Sequence, residues 1–281
     1  MKFVQIILRG IGQVMFQNNV YSGALFLVGI FYNSYLLGLA ALLGTIISTG
    51  TAQLLKFQKE DIQNGLYGFN GTLTGIAVLC FFEVNLGTVI ALILGSVLST
   101  LIMRFLKEIV PPFTAPFVVA TWIVIYSLLY IFNFSVLTSK GASGNTFDLI
   151  SASSNSFGQV MFQENVITGL IFILAILLNN KLMAIYAVYA AVLGSFAGWI
   201  LLEIESVAVV NSGLMGYNAI LCAIALTGKR WTDFLWITIA ILLSTVINIG
   251  MGMTGIITLT APFVLATWLI LIVKNQQIFR H

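Results

Sequence analysis

Uncharged amide and hydroxyl side chains recur along this chain in pairs separated by a nearly constant distance in sequence. The pairs are Gln13 with Gln159, Asn19 with Asn165, Asn70 with Asn218, and Thr114 with Thr260. Amides and hydroxyls exchange hydrogen bonds with a neutral polar molecule and need no counter-ion to do so. The pairing therefore indicates recognition of a small, uncharged, polar solute at two related places.

Aromatic residues accompany the paired amides. Phe16 and Phe162 follow the two glutamines by three residues, which is about one turn if these stretches are helical. Phe69 and Tyr217 occupy equivalent places in two Gly-Leu-x-Gly-x-Asn phrases. The closely spaced glycines of these phrases indicate an irregular or tightly packed backbone beside the aromatic rings.

The pairs arise because the chain contains two copies of one unit. Residues 12–20 and 158–166 match at eight of nine positions, with an offset of 146. The phrase Thr-Ala-Pro-Phe at 114–117 recurs at 260–263 with the same offset, and the glycine phrase at 65–70 recurs at 213–218 with an offset of 148. In an apolar chain, such a duplication is typical of membrane transporters and channels.

The composition indicates a chain that is solvated by lipid. Hydrophobic residues make up 59% of the 281 residues, charged residues make up 7%, and the mean hydropathy is +1.05. A water-facing surface cannot be built from this composition. At about 20 residues per crossing, we predict ten spans, at 20–37, 39–55, 66–82, 86–106, 112–134, 166–179, 183–202, 213–228, 234–252 and 258–273. A β-barrel would instead require alternating segments of about 10 residues.

The placement of lysine and arginine predicts the orientation of these spans. With a cytoplasmic N-terminus and ten crossings, eleven of the twelve cationic residues fall on the cytoplasmic side, and only Lys140 falls outside. Five crossings per copy is an odd number, so the second copy runs through the membrane in the opposite direction. We therefore predict an all-α membrane protein with two inverted repeats, at 1–134 and 157–281, joined by an external linker at 135–156. Both termini are expected in the cytoplasm.

The chain offers little that an enzyme could use. Its single histidine is His281, and its charged residues cluster at the predicted ends of the spans. It has no HExxH motif, no phosphate-binding loop and no metal-ligand spacing, so we predict no catalytic activity, no cofactor and no metal. The net charge of +3 follows from the positive-inside bias and does not require a nucleic-acid partner.

The candidate residues also have purely structural interpretations. The aromatic rings could pack in the interior, and the glutamines could be polar caps at the membrane interface. Thr114 and Thr260 stand where threonine often begins a helix, two residues before a proline. Asn70 and Asn218 could satisfy the local backbone. Glu164 replaces Asn18 of the first copy, and it could lie at an outer vestibule or simply be solvated.

At these residues the sequence resembles the urea transporter family, the urea channels of bacteria and their vertebrate paralogues. The resemblance covers essentially the whole chain and rests on three paired phrases: GIGQVMFQNN with FGQVMFQEN, GLYGFNGTL with GLMGYNAIL, and VPPFTAPF with ITLTAPF. The family signature Leu-Pro-x-x-Thr-x-Pro-Phe appears at 110–117, with Val110 in place of the leading leucine. It appears more loosely at 256–263, where Ile257 replaces the first proline.

The resemblance implies a homotrimer in which each subunit has its own pore and conducts urea passively, as a channel does. It also implies that each repeat has one half-spanning helix beside its five full spans, with the pore between the repeats. The expected partners are urea as the permeant, the lipid bilayer and further copies of the chain. The expected location is the bacterial inner membrane, as a multi-pass integral protein.

The family's selectivity filter has two sites. Each site is a slot between aromatic rings, flanked by oxygen acceptors and a Gln or Glu, with a threonine pair at a narrower centre. Carried over by motif, the residues of the first site are Gln13, Phe16, Phe69 and Leu73, and those of the second are Gln159, Phe162, Tyr217 and Leu221. Thr114 and Thr260 would meet between the two sites. Additional candidates are Glu164, Asn70 and Asn218.

Other functions stay open beside this interpretation. An aquaporin would show two Asn-Pro-Ala turns and an ammonium channel would place histidines in its pore, and the sequence has neither feature. An ion-coupled transporter, an ammonium or small-amide transporter, and a non-conducting membrane scaffold are separated from a urea channel only by a measurement of flux.

Overall fold

The computed structural model describes residues 2–137, 146–202 and 207–278, and the side chains as far as residue 274. Every regular element in these ranges is a helix. The helices are α1 (Phe3–Gln13), α2 (Val20–Asn33), α3 (Tyr35–Leu54), α4 (Lys59–Gln63), α5 (Gly68–Phe81), α6 (Leu86–Leu106), α7 (Ala115–Tyr130), α8 (Leu149–Gln159), α9 (Val166–Asn179), α10 (Lys181–Leu201), α11 (Val207–Asn211), α12 (Tyr217–Ala225), α13 (Trp231–Met253) and α14 (Ala261–Ile278).

The order of helix lengths repeats along the chain. From α1 to α7 the helices contain 11, 14, 20, 5, 14, 21 and 16 residues. From α8 to α14 they contain 11, 14, 21, 5, 9, 23 and 18 residues. The duplicated phrases of the sequence thus accompany a duplicated series of elements, and each phrase falls at the same place in its series.

Amide and hydroxyl side chains begin several of the apolar helices. The Asn19 carboxamide oxygen accepts hydrogen bonds from the amides of Tyr21 and Ser22 at the start of α2. In the second copy, the Asn165 oxygen accepts from the Thr168 amide at 3.0 Å. These bonds satisfy backbone donors that have no partner within the helix. The recurrent pair Asn19 and Asn165 therefore serves to begin helices.

In the part of the chain that the structure describes, four helices are long and apolar enough to cross a membrane by length and composition. They are α3, α6, α10 and α13. Five further apolar helices, α2, α5, α7, α9 and the apolar part of α14, contain 10–17 residues each. A helix of 14 residues is about 21 Å long, shorter than the roughly 30 Å hydrocarbon layer. Such a helix needs the turns at its ends, or a tilted neighbour, to complete a crossing.

Contacts divide the chain into two compact units. Unit 1 comprises residues 1–140 together with 161–163 and 174–179, and unit 2 comprises 141–160, 164–173 and 180–281. Unit 1 therefore includes two short pieces of the second copy: the turn that follows α8 and the last residues of α9. Within unit 1, Ser22 at the start of α2 donates its hydroxyl to the Ala175 carbonyl at 2.7 Å.

Small residues let the helices of unit 1 approach closely. A Cβ atom added at Gly44 of α3 would lie 2.0 Å from the Gly71 carbonyl oxygen of α5. Beside this crossing, the hydroxyls of Thr45 and Thr72 are 2.6 Å apart and both side chains are fully buried. Close backbone contact and interhelical hydrogen bonds are the usual means of joining helices within lipid, where burial of apolar surface gives little driving force.

The structure differs from the sequence prediction mainly at the start of each copy. Each predicted span contains a helix, but α1 and α8 were not predicted. Residues 149–156, which we assigned to the linker, belong to α8. The first predicted span, 20–37, is interrupted at Ser34, where α2 has ended and α3 begins at the next residue. Residues 138–145 of the predicted linker, including Lys140, lie outside the described residues.

Candidate functional site

The two candidate glutamines make the same hydrogen bond in the two copies. Gln13, the last residue of α1, donates its side-chain N–H to the Asn64 carbonyl at 2.9 Å. Gln159, the last residue of α8, donates to the Ser212 carbonyl at 3.0 Å. Both side chains are half-buried. Because the N–H₂ group is engaged with the backbone, the main group that each glutamine can offer a solute is its carbonyl oxygen.

Glycine brings each accepting carbonyl to its glutamine. Gly65 and Gly213, which follow Asn64 and Ser212, have φ angles of +75° and +88°. A Cβ atom at Gly65 would lie 2.4 Å from the backbone nitrogen of Gly10, and one at Gly213 would lie 2.3 Å from that of Ser156. Only glycine combines this backbone conformation with so close an approach. The loop before α5 or α12 is thereby pressed against the helix that ends in the glutamine.

Phe16 and Phe162 adopt the left-handed backbone conformation, with φ at 60° in both cases. For a bulky residue this conformation is uncommon and costs about 1–3 kcal/mol. In the first copy the turn is closed by the Gln17 amide, which donates to the Gly12 carbonyl at 3.0 Å. The strain therefore recurs at the same aromatic position in both copies. Strain of this kind concentrates at functional sites.

A buried glutamine holds each strained turn in place. The Gln17 side chain is fully buried, donates to the Met15 carbonyl at 2.6 Å and accepts from Asn179 at 2.8 Å. The second copy repeats this arrangement with Gln163, which is also fully buried. The Gln163 side chain donates to the Met161 carbonyl at 2.7 Å and accepts from Asn33 at 2.9 Å. Neither glutamine was predicted as a site residue, although both belong to the duplicated phrase.

Thr114 and Thr260 each follow a residue with a left-handed backbone. Phe113 has a φ of 45° and Leu259 has a φ of 47°. Both threonines are buried, and Thr114 is the residue that precedes the first turn of α7. The Thr114 side chain makes no capping bond to that helix. Thr114 therefore occupies the capping position of α7, but its hydroxyl does not make the capping bond.

Asn70 and Asn218 bond to the starts of the two Thr-Ala-Pro-Phe helices. The side-chain oxygen of Asn70 accepts from the Phe117 amide at 3.0 Å, and that of Asn218 accepts from the Phe263 amide at 3.2 Å. Each asparagine thus caps the Thr-Ala-Pro-Phe helix from a neighbouring helix. Both side chains are buried, and both oxygens are engaged with protein backbone.

Aromatic rings surround the candidate positions of unit 1. The Phe16 ring lies 6.1 Å from the Phe113 ring, measured between centroids. The Phe162 ring lies 6.1 Å from Phe81 and 6.3 Å from Phe117, edge to face in both cases. These separations are typical of favourable aromatic pairs. Phe16 and Phe162 are both half-buried, so part of each ring is accessible.

The remaining filter candidates lie deeper. Phe69 and Tyr217 are each 6% exposed, and Leu73 and Leu221 are fully buried. The two copies differ at the aromatic position, because the Tyr217 hydroxyl donates to the Leu259 carbonyl and lies 3.2 Å from the Thr258 hydroxyl. Phe69 has no hydroxyl, so the first copy cannot repeat this bond.

Glu164 is the acidic candidate of the second copy. It lies in the short loop between α8 and α9 and its side chain reaches solvent. The surrounding protein nevertheless reduces its hydration and raises the pKa of its carboxyl group above the usual value. Among the described residues, no three His, Cys, Asp or Glu side chains group as metal ligands.

Together, the apolar helices, the duplicated series of elements and the uncharged polar groups beside strained aromatic positions define an α-helical integral membrane protein of the transporter class. Residues 4–275 match the family model described as Urea transporter. The chain belongs to the urea transporter family.

Curated relatives extend the match over the full chain. The chain is 31% identical to urea transporter 1 of Rattus norvegicus over 312 aligned positions, which cover 100% of this chain and 80% of the relative. It is 30% identical, with the same coverage, to urea transporter 1 of Ovis aries and to that of Mus musculus.

Proposed function

We propose that this protein conducts urea passively across the membrane through a channel-like pore in each subunit of a homotrimer. Membership of the urea transporter family supports urea as the permeant. The observation that carries the proposal for the site is the shared left-handed conformation of Phe16 and Phe162, both at a φ of 60°. A bulky residue keeps such a conformation only when its surroundings impose it. In both copies the surroundings impose this conformation three residues after a candidate glutamine, whose side-chain oxygen can accept hydrogen bonds.

Urea fits the chemistry of these residues. The molecule is planar, its N–H groups lie in the plane, and its two faces resemble apolar surfaces. Aromatic rings would contact the faces, and the carbonyl oxygens of Gln13 and Gln159 would accept from the N–H groups. In this proposal Phe16, Phe69 and Leu73 complete the first site, and Phe162, Tyr217 and Leu221 complete the second. Thr114 and Thr260 contribute hydroxyls to the pathway.

The proposed pathway favours a neutral solute over an ion. Removing water from an amide without replacing its hydrogen bonds costs roughly 2–7 kcal/mol, and acceptor oxygens would offset that cost. A cation would lose much more hydration free energy, and the candidate residues on helices are uncharged. Glu164 lies in a loop, where we propose that it faces an entrance. Permeation would then need only the urea gradient.

The orientation is part of the proposal. The distribution of lysine and arginine supports cytoplasmic termini and two repeats that cross the membrane in opposite directions. We assign α1 and α8 as the half-spanning helices, because each lies outside the ten predicted spans and, with 11 residues, reaches only about 16 Å. We also propose a bacterial inner membrane as the location, which is the expectation from the sequence resemblance.

Stopped-flow light scattering on liposomes tests the proposal. Purified protein should accelerate the response of liposomes to a urea gradient, should do so without sodium or a membrane potential, and should leave glycerol permeability unchanged. Dependence of urea flux on an ion gradient would indicate a coupled transporter. Urea permeability equal to that of empty liposomes would indicate a non-conducting protein.

A double substitution tests the acceptor role of the glutamines. Gln13→Leu with Gln159→Leu should lower urea permeability about tenfold or more, because each site loses an acceptor and each loop carbonyl loses its donor. The matched control is Gln5→Leu with Gln53→Leu, since both of these glutamines are exposed. Equal permeability in the two variants would remove Gln13 and Gln159 from the site.

A further inference from the structure

We propose that Lys107 is a positioning residue for the first urea site, acting through the loop at residues 56–67. This inference rests on the proposed function. Lys107 follows α6 and lies outside the residues that would contact urea. It bonds to the loop that contains Asn64, and the Asn64 carbonyl accepts the hydrogen bond from the Gln13 side chain. The Lys107 side chain does not need to enter the pathway for this role.

Lys107 joins the loop at three points. Its ammonium group forms an ion pair with Asp61 and donates to the Gln58 side-chain oxygen at 2.9 Å. It also lies 5.8 Å from the centroid of the Tyr67 ring, a distance at which a cation is attracted to an aromatic face. The side chains of Lys107 and Asp61 are only 15% and 19% exposed. A pair shielded to this degree is screened less than an exposed one.

A second cation supports the same loop. The Arg104 guanidinium lies 5.9 Å from the centroid of the Phe57 ring, and the Phe57 ring is 5.2 Å from that of Tyr67. The end of α6 therefore presents two cations to two aromatic residues at the opposite ends of the loop. These contacts restrict the loop at both of its ends.

The loop transmits this restraint to Gln13. Asp61 is part of the loop backbone, and its carbonyl accepts a hydrogen bond from the Leu66 amide at 3.0 Å. Between these two residues lie Asn64, which bonds Gln13, and Gly65, whose backbone touches α1. The Asn64 side chain also accepts from Asn18 at 3.1 Å. Displacing Asp61 would therefore displace the carbonyl that orients the candidate acceptor.

The second copy holds its loop differently. By the offsets of the copies, Asp61, Tyr67 and Lys107 correspond to Val209, Met215 and Met253, none of which can form this ion pair. Amide side chains join the described part of the second loop to its surroundings. Asn155 donates to the Asn211 carbonyl at 2.8 Å, and Asn248 donates to the Leu214 carbonyl at 2.9 Å. The charged restraint is thus a property of the first site.

The test compares Lys107→Met with Lys274→Met. Lys274 pairs with Asp233 at 3.1 Å and is also partly shielded, and within the described residues this pair has no hydrogen bond or ion pair with the loop of either candidate glutamine. We expect Lys107→Met to lower urea permeability roughly threefold to tenfold and to raise the permeability of N,N′-dimethylurea relative to urea, because a displaced acceptor widens the site. Lys107→Arg should restore both values, and Lys274→Met should change neither.

Hydrogen exchange provides a readout that does not depend on flux. The amides of Asn64, Gly65 and Leu66 donate within the loop, and they should exchange faster in Lys107→Met than in wild type or Lys274→Met. If wild-type liposomes do not conduct urea, the proposed function fails and the exchange comparison still decides whether Lys107 positions the loop.

Three results would overturn the positioning role. The first is exchange in Lys107→Met equal to that in wild type. The second is a fall in urea flux with an unchanged dimethylurea-to-urea ratio, which would indicate fewer folded channels. The third is failure of Lys107→Arg to restore the ratio, since arginine keeps the charge that the role requires.

Discussion

Replacing the buried glutamines that hold the strained turns should destabilise the protein to different extents in the two copies. Gln17→Leu and Gln163→Leu each remove one bond to a buried methionine carbonyl and one bond from an asparagine. An unsatisfied buried group costs about 1–3 kcal/mol. The Met15 and Met161 carbonyls belong to fully buried residues, so this part of the cost should be the same in both variants.

The asparagine partners make the difference. Asn179 is exposed and can bond to water after Gln17 is removed, whereas Asn33 is half-buried and cannot do so as readily. We therefore expect losses of about 1–3 kcal/mol for Gln17→Leu and about 2–5 kcal/mol for Gln163→Leu. The left-handed phenylalanine next to each glutamine should relax when its restraint is lost, so urea permeability should fall in both variants.

Denaturation of purified protein in detergent, followed by tryptophan fluorescence, measures both free energies of unfolding. Liposome assays on the same samples measure permeability. Equal stability of Gln163→Leu and wild type would refute the argument that these amides hold the turns. A larger loss for Gln17→Leu than for Gln163→Leu would refute the role assigned to the exposure of their partners.

Two further predictions concern the loops and the start of α8. Gly213→Ala should prevent accumulation of folded protein, since the new Cβ would lie 2.3 Å from the Ser156 backbone nitrogen; monodisperse protein at wild-type yield on size-exclusion chromatography would contradict this. Hydrogen bonds from Ser151 hold the pKa of the Asp148 carboxyl below its usual 3.8. Its capping of α8 is therefore present above about pH 4 and is lost as the pH falls through the lowered pKa. Amides 150–152 should exchange faster at pH 3 than the ordinary pH dependence of exchange predicts, and Asp148→Asn should remove this excess; an excess that persists in the variant would exclude Asp148 as its source.

Repetition made the candidate residues recognisable from sequence. The paired phrases pointed to Gln13 and Gln159 and to the aromatic residues three positions later, and the structure gives the two glutamines equivalent bonds. Apolar length indicated the helices that lie within lipid. These features are visible in a sequence because they depend on residue type and spacing alone.

The backbone conformations were not visible in the sequence. Phenylalanine carries no signal for a left-handed conformation, and the Gln17 side chain that follows Phe16 accepts a bond from Asn179, more than 160 positions away. The bonds that engage Gln17 and Gln163 likewise require knowledge of tertiary contacts. Sequence patterns describe local preference, and here tertiary contacts override it.

Helix α8 was missed because its composition is typical of a loop. Serine and asparagine make up much of its sequence, LISASSNSFGQ, and these residues often compete with helical hydrogen bonding. In the structure three of the four serine hydroxyls are engaged instead. Ser156 donates to the Ala152 carbonyl one turn earlier, and Ser154 donates to the Val166 carbonyl, both at 2.7 Å. The serines are small enough to let a neighbouring backbone approach, so most of this polar helix from residue 152 onward is buried.

The crossed bonds of Gln17 with Asn179 and of Asn33 with Gln163 bear on the origin of the chain. A polypeptide containing only residues 1–137 would keep Gln17 and Asn33 and lose both of their partners. Two identical polypeptides of that length could form both bonds with each other, since each carries one such glutamine and one such asparagine. The contact is what a self-associating ancestor would leave behind once its gene was joined to a second copy of itself.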